Sequence, residues 1–334
     1  MAATPRPDWA EVLQHIKAFF PAVAIVAAMR LDLFTPLAEG PKTPEALAER
    51  LGVPVRRLRM LLHSLASTGL VMADGERFAN SPVADEFLVR GRPRYMGGSH
   101  ELYADMFATV LSTADSVRAG APTALHDWAH MPEEQLRALL RGLNPGATAA
   151  GRMLAEQRDF GRVKSLLDVG GGGGGLAIGI CQASPGITAR VIELPRVAAV
   201  CEDLVAAGGL ASRIRAIAHD IIESPLADVG DAAILRNFVQ VLPPDSARRA
   251  LDNIGRSVRP EGEIFIIGVI LDDDRTGPPG ALALNLFFLN AFPEGEAYTE
   301  SQYREWLEGA GFTDIRRSPF PGLDHSLMTG RKRA

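Results

Sequence analysis

The sequence predicts an α/β fold in which a mostly parallel sheet, wrapped by helices, follows a smaller helical domain. Three observations carry this. Between Ser165 and Ile270 short β-like runs alternate with helix-compatible segments, and a strand reaches a parallel neighbour only through such a crossover. Six consecutive glycines, Gly170–Gly175, follow an apolar run ending in Asp168 and Val169, which reads as a strand, a turn without side chains and a helix start. The residues before 96 carry helical patterns and one hairpin signal instead.

Composition narrows the function classes. With 334 residues, 47% of them apolar, the chain can bury two cores. Its 35 basic and 40 acidic residues leave a net charge of −5, so no nucleic-acid partner is expected. Two cysteines, Cys181 and Cys201, cannot build a disulfide framework and suit a reducing cytoplasm. The early apolar stretch Ala18–Met29 contains Pro21 and reads as too short to span a bilayer. No signal-peptide cleavage pattern accompanies it, so a cytoplasmic protein without membrane attachment is expected.

Residues 8–40 read as helical, with Ile16, Phe19, Phe20, Val23, Ile25 and Leu31 supplying more apolar surface than one face can bury. Cover by a second subunit is expected there. The segment T-P-E-A-L-A-E-R-L-G has a threonine cap, proline at the first helical position and a terminal Gly52. A second helix spans Pro54–Gly69, and Leu70–Asn80 reads as a hairpin turning at Asp74-Gly75. Helix, turn, helix, hairpin is a winged-helix pattern. Arg56, Arg57 and Arg59 lie on its second helix, where a DNA reader would place groove contacts, or they form a solvated face offset by nearby acids.

Residues 96–160 read as helices and loops, with Tyr103, Met106 and Phe107 offering aromatic and thioether surface. His126 and His130 are candidate bases by residue type, against the ordinary reading of solvated loop histidines. Then follow the alternating elements: strands Ser165–Val169, Ala189–Ile192, Ile214–Ala218, Ala232–Leu235 and Glu263–Ile270. Helices Leu176–Ala183, Arg196–Gly208 and Asp245–Val258 lie between them. Leu282–Ala291 and Ser301–Gly309 are further helices, and Phe312–Arg317 with Ser326–Arg331 reads as a terminal hairpin.

The glycine run is the ligand signal. Glycine admits positive φ and close approach to the main chain, and the helix behind it presents unpaired N–H groups. An all-glycine run matches a dinucleotide fingerprint trivially, so the flanking acids decide. Asp168 ends the strand before the turn, where a carboxylate repels a pyrophosphate but suits a cationic or hydroxylated ligand. Glu193 ends the next strand, where it can accept both ribose hydroxyls. A nucleoside with a positive group and no phosphate fits the pair, and S-adenosylmethionine is such a molecule.

The motifs D-V-G-G-G-G-G, I-E-L-P, A-H-D-I-I-E, P-E-G-E-I-F-I-I and E-G-A-G-F-T-D-I, in that order, resemble the small-molecule methyltransferases of the plant caffeate and bacterial antibiotic O-methyltransferase family. The resemblance covers nearly the whole chain. It implies a Rossmann-like methyltransferase sheet, mostly parallel with the last strand antiparallel, behind a winged-helix-like dimerisation domain. The implied division is a dimerisation domain over 1–95, a helical connector lining a substrate chamber over 96–160, and a cofactor domain over 161–334.

Cofactor-binding roles are implied for Met153, Asp168, Gly170, Gly172, Glu193, Leu194, Asp220, Ile221 and Arg236, the last beside the cofactor's carboxylate. Substrate-lining roles are implied for Tyr103, Met106, Phe107, Asn285 and Phe288. The chain departs from the family at one point that matters. O-methylating relatives carry a histidine base in a His-Asp-Trp sequence, whereas here the segment L-R-N-F-V-Q-V-L-P-P-D puts Gln240 on that position. Their Arg-Thr pair appears as Tyr298-Thr299. An amide cannot act as a base at neutral pH, so Gln240 is expected only to orient a nucleophile, with His126 the candidate replacement. The expected activity is methyl transfer from S-adenosylmethionine to an O, C or N nucleophile of a small molecule by a homodimer, with no metal. The alternatives are a cofactor-binding homologue with a non-methylating reaction and a winged-helix regulator that senses a ligand.

Overall fold

The N-terminal apolar stretch folds as two consecutive helices, Trp9–Lys17 and Phe19–Arg30, in the computed structural model, which describes residues 9–320 and 325–334. Pro21 falls in the first turn of the second helix, where its missing N–H costs no hydrogen bond. The helical run Trp9–Arg30 is therefore 22 residues long with mean hydropathy 1.6, long and apolar enough by length and composition to cross a membrane. That corrects the sequence-based reading of this stretch as too short. Ala24, Ala28 and Met29 are buried, while Trp9, Ile16, Phe19, Phe20 and Val23 are exposed.

The winged-helix pattern forms as expected. Thr43 caps helix Pro44–Leu51 by accepting the Ala46 N–H at 3.3 Å, and Gly52 ends it in the left-handed region at φ 66°. Helix Val55–Ala66 buries Leu58, Leu62 and Leu65. Strands β1 (Val71–Asp74) and β2 (Arg77–Asn80) pair antiparallel around Gly75. Leu33, Phe34, Leu47 and Phe78 complete the core of this unit, which ends at Ala104. Arg56, Arg57 and Arg59 are exposed, and Arg59 is ion-paired with Glu45 of the preceding helix.

The second unit begins at Asp105. Its strands are β3 (Ser165–Val169), β4 (Thr188–Glu193), β5 (Ile214–Ala218), β6 (Gly230–Arg236), β7 (Val258–Gly268), the short pair β8 (Ile270–Leu271) and β9 (Tyr298–Thr299), then β10 (Phe312–Phe320) and β11 (His325–Lys332). Seven of them form one sheet in the order β10-β11-β7-β6-β3-β4-β5. The pairings among β3 to β7 are parallel, and β11 runs antiparallel to β7 and β10. Strand alternation sorts the apolar side chains into two layers. Leu166, Val191, Ile234 and Phe265 face one layer; Leu167, Ile192, Leu235 and Ile266 face the other.

Helix Glu133–Gln157 belongs to this unit. It crosses helix Gly175–Ala183 at two glycines that leave no room for side chains. A Cβ on Gly151 would lie 2.3 Å from the Leu176 carbonyl oxygen, and one on Gly179 would lie 2.2 Å from that of Thr148. This close crossing ties the expected connector to the sheet. By compactness the chain divides between Ala104 and Asp105, inside helix His100–Val110.

Candidate active site

The glycine turn joins β3 to helix Gly175–Ala183. Gly170, Gly172 and Gly174 have φ of 65°, 57° and 76°, values that L residues reach only with strain. Space is equally restrictive. A Cβ on Gly170 would lie 2.2 Å from the Phe238 ring, and one on Gly171 would lie 2.6 Å from the Asp168 carboxyl carbon.

Two carboxylates close this turn from adjacent strand ends. Asp168 is fully buried; its Oδ2 accepts the Ala177 N–H at 3.0 Å, while Oδ1 is buried without a hydrogen-bond partner among the described residues. Glu193 is half-buried, with Oε1 accepting the Gly172 N–H at 2.8 Å and Oε2 accepting the Leu194 N–H at 3.1 Å. Burial pushes the Asp168 carboxyl up to about 7; Glu193 adds to the rise, and Arg236 and the Ala177 N–H oppose it. Burial likewise raises Glu193 to about 7, against its two backbone hydrogen bonds. Two carboxyls whose ionisation burial opposes stand beside a bare backbone turn, one with an idle oxygen, and this donor set suits a cationic, hydroxyl-bearing ligand. The residues present fit S-adenosylmethionine.

The remaining expected cofactor residues divide. Leu194 caps the helix that follows β4, beside Glu193. Asp220 accepts the Ile222 N–H at 2.9 Å, closing its own turn after β5. Ile221 is 4% exposed within a core layer, so its side chain is occupied by packing. Met153 packs against the other core layer. Helix Glu133–Gln157 meets the glycine turn through Leu140, Ala147 and the polar Asn144, whose Oδ1 lies 2.5 Å from the place a Gly173 Cβ would take. Sequence reasoning missed Asn144, because only the tight helix crossing brings it there.

The end of β6 carries Arg236, half-buried, and Asn237 at φ 55°. The Asn237 Oδ1 accepts two hydrogen bonds, from Gln240 Nε2 at 2.8 Å and from His325 Nε2 at 2.9 Å. Gln240 is fully buried and its Oε1 has no hydrogen-bond partner among the described residues. Tyr298 is buried beside Tyr303 and Trp306, its hydroxyl donating to the Leu242 carbonyl. Thr299 caps helix Glu300–Gly309 with a full capping box. His325 was not singled out by sequence, since it opens β11 far along the chain and only strand order brings it to Asn237.

Among the expected substrate residues, Tyr103 is 38% exposed, and Met106 and Phe107 are half-buried. Asn285 is half-buried and accepts the Ala297 N–H at 2.7 Å. Phe288 is buried with Val269, Ala291 and Phe292. His126 is 8% exposed; its Nε2 stands 3.1 Å from Asp105 Oδ2, its N–H donates to the Ala291 carbonyl, and its ring meets Phe287 and Phe292 edge-on. His130 is exposed, 2.8 Å from Asp127.

Sheet order, the terminal antiparallel strand and a carboxylate-ringed glycine turn define a methyltransferase-type fold. The comparisons with known proteins then specify it. Residues 120–313 match the model of the O-methyltransferase domain, and residues 13–90 match that of the O-methyltransferase dimerisation domain. The chain is 30% identical to 3-hydroxy-5-methyl-1-naphthoate 3-O-methyltransferase of Streptomyces sahachiroi, over 90% of this chain and 89% of that one. It is 29% identical to the N,N-dimethyltransferase OxyT of Streptomyces rimosus, over 93% and 94%. Human N-acetylserotonin methyltransferase in complex with SAM superposes with a TM-score of 0.83 at 23% identity, over 99% of this chain and all of that one. The chain belongs to the O-methyltransferase family and is a methyltransferase that uses S-adenosylmethionine.

Proposed function

We propose that this enzyme methylates an oxygen or nitrogen nucleophile on a small aromatic compound of secondary metabolism. The named relatives include an O-methyltransferase of a hydroxynaphthoate and an N,N-dimethyltransferase, which supports both nucleophile classes. The observation that carries the cofactor assignment is the Asp168–Glu193 pair around the glycine turn. In this reading Gly170, Gly172, Asp168, Glu193 and Leu194 hold the nucleoside, and Asn144 stands against the same turn. Arg236 pairs with the methionine carboxylate as a guanidinium does. Asp220 and Ile221 shape the adenine end through backbone and turn. Tyr103, Met106, Phe107, Asn285 and Phe288 belong to the substrate side.

The bound sulfonium supplies a methyl group that is already strongly electrophilic. Positioning the nucleophile then dominates, and such alignment is worth up to about 7–11 kcal/mol. Gln240 spends its amide N–H on Asn237 and so steadies the turn after Arg236. His126 is a candidate base, with Asp105 placed to orient its ring. The exposed apolar residues of Trp9–Arg30, within a dimerisation domain, support a homodimer, and the two buried free thiols suit a reducing cytoplasm. The Arg59–Glu45 pair supports a solvated face over DNA reading. Release of S-adenosylhomocysteine from a panel of phenols and arylamines, scored against duplex DNA binding, tests this reading; DNA binding without methyl transfer would replace it with the regulator.

A further inference from the structure

The family's usual base is absent at position 240, yet an imidazole stands two hydrogen bonds away. Gln240 Nε2 and His325 Nε2 meet on the same Asn237 oxygen, at 2.8 and 2.9 Å. That oxygen can only accept, so His325 carries its proton on Nε2 and presents Nδ1 as a lone pair. Nδ1 is buried and has no hydrogen-bond partner among the described residues. Strand order explains the placement: Ser326 pairs with Gly268, so the start of β11 lies beside the end of β7, at the same sheet edge as Arg236. A Cβ on Gly268 would lie 3.2 Å from Gln240 Oε1 and 3.6 Å from the Tyr303 hydroxyl, both also buried without partners. Two unspent polar atoms thus surround a residue that has no side chain, and the unspent His325 Nδ1 belongs to the residue before Ser326, its strand partner.

Resting on the methyltransferase reading, we propose that His325 Nδ1 accepts the proton of the substrate's nucleophilic hydroxyl, serving from β11 in place of a base at position 240. As the oxygen–carbon bond forms, the carbon–sulfur bond breaks with its electron pair left on sulfur, and the proton passes to Nδ1 and then to solvent. Gln240 and Asn237 are positioning residues, because they fix the tautomer and tilt of the ring. Burial, aided by the Arg236 charge, holds the imidazole down at about 4, so the acceptor is neutral across the physiological range. A weak base suffices, because an oxygen that has gained a methyl group sheds its proton readily.

The test uses the full-length protein labelled with 15N-histidine. His325 should show the Nε2–H tautomer and stay neutral from about pH 8 to about pH 5. With S-adenosylhomocysteine present, 1-naphthol should shift its Nδ1 resonance as a hydrogen-bonded acceptor. The His325→Gln variant retains an N–H donor for Asn237 but no basic nitrogen. It should keep the wild-type melting temperature and donor KM while losing at least about 100-fold in kcat on 1-naphthol. His325→Ala should lose as much and also melt lower. An Nδ1–H tautomer, a resonance that ignores 1-naphthol, or a His325→Gln variant within about threefold of wild type would each overturn the proposal. A rate loss in His126→Ala with His325→Gln unaffected would also overturn it and give the role to His126. Failure of the methyltransferase reading would show separately, as no thermal shift with S-adenosylhomocysteine.

Discussion

Gly170 and Gly171 carry constraints of different kinds, and substitution separates them. Alanine at 170 adds a left-handed strain of about 1–2 kcal/mol to a clash with Phe238. Alanine at 171 instead pushes against the Asp168 carboxylate, and such overpacking costs about 1–3 kcal/mol. Both variants should melt lower, and Gly171→Ala should also lose most of the stabilisation by S-adenosylhomocysteine, because it displaces the carboxylate. The acids make a pH prediction. Their folded values, about 7, lie above the ordinary carboxylate range, so their contribution to stability is complete below about pH 4 and is lost as pH rises through about 7. The ligand-free protein should lose part of its melting temperature between about pH 5.5 and pH 8, and Asp168→Asn should flatten that loss. A cationic ligand favours the ionised acids, so binding near neutrality should release protons, detectable by calorimetry in buffers of differing ionisation heat. Asp168 and Glu193 were legible because acids ending consecutive strands around glycines must share one edge. His325 and Asn144 were not, since a strand insertion and a helix crossing set their neighbours, and neither leaves a local pattern.

The crossing of Glu133–Gln157 over Gly175–Ala183 is the contact that carries the connector to the cofactor turn. Gly179→Ala would place a methyl 2.2 Å from the Thr148 carbonyl oxygen. The helices must then separate, at a cost of about 1–3 kcal/mol or more. Gly151→Ala presses on the same crossing from the other side, so the double variant should cost less than the sum of the singles; chemical denaturation of the three variants measures this. Element existence was readable where cap, periodicity and turn residues agree: Thr43 and Gly52 in the first unit and Thr299 in the second act at the helix ends their types announce. Less readable was the use of each face. Ile221 is buried in one core layer and half-buried Met153 packs against the other, which their residue types alone do not announce.

At the scale of the whole molecule, the two units answer to different evidence. The exposed apolar stripe of Trp9–Arg30 lies in a dimerisation domain, and a second copy of this chain is the cover proposed for it. Phe20→Asp should convert the dimer to monomer in light scattering at micromolar concentration while preserving the circular dichroism spectrum. A wild-type monomer would reject the interface. The central claim is that Asp168 and Glu193 at the glycine turn form the S-adenosylmethionine site, and titration calorimetry with S-adenosylhomocysteine tests it most directly. Wild type should bind it and ignore NADH, and Glu193→Ala should lose about 1.5–3 kcal/mol of binding free energy, the worth of hydrogen bonds to a charged group. Equal binding by Glu193→Ala, or tighter binding of NADH than of S-adenosylhomocysteine, would contradict the account.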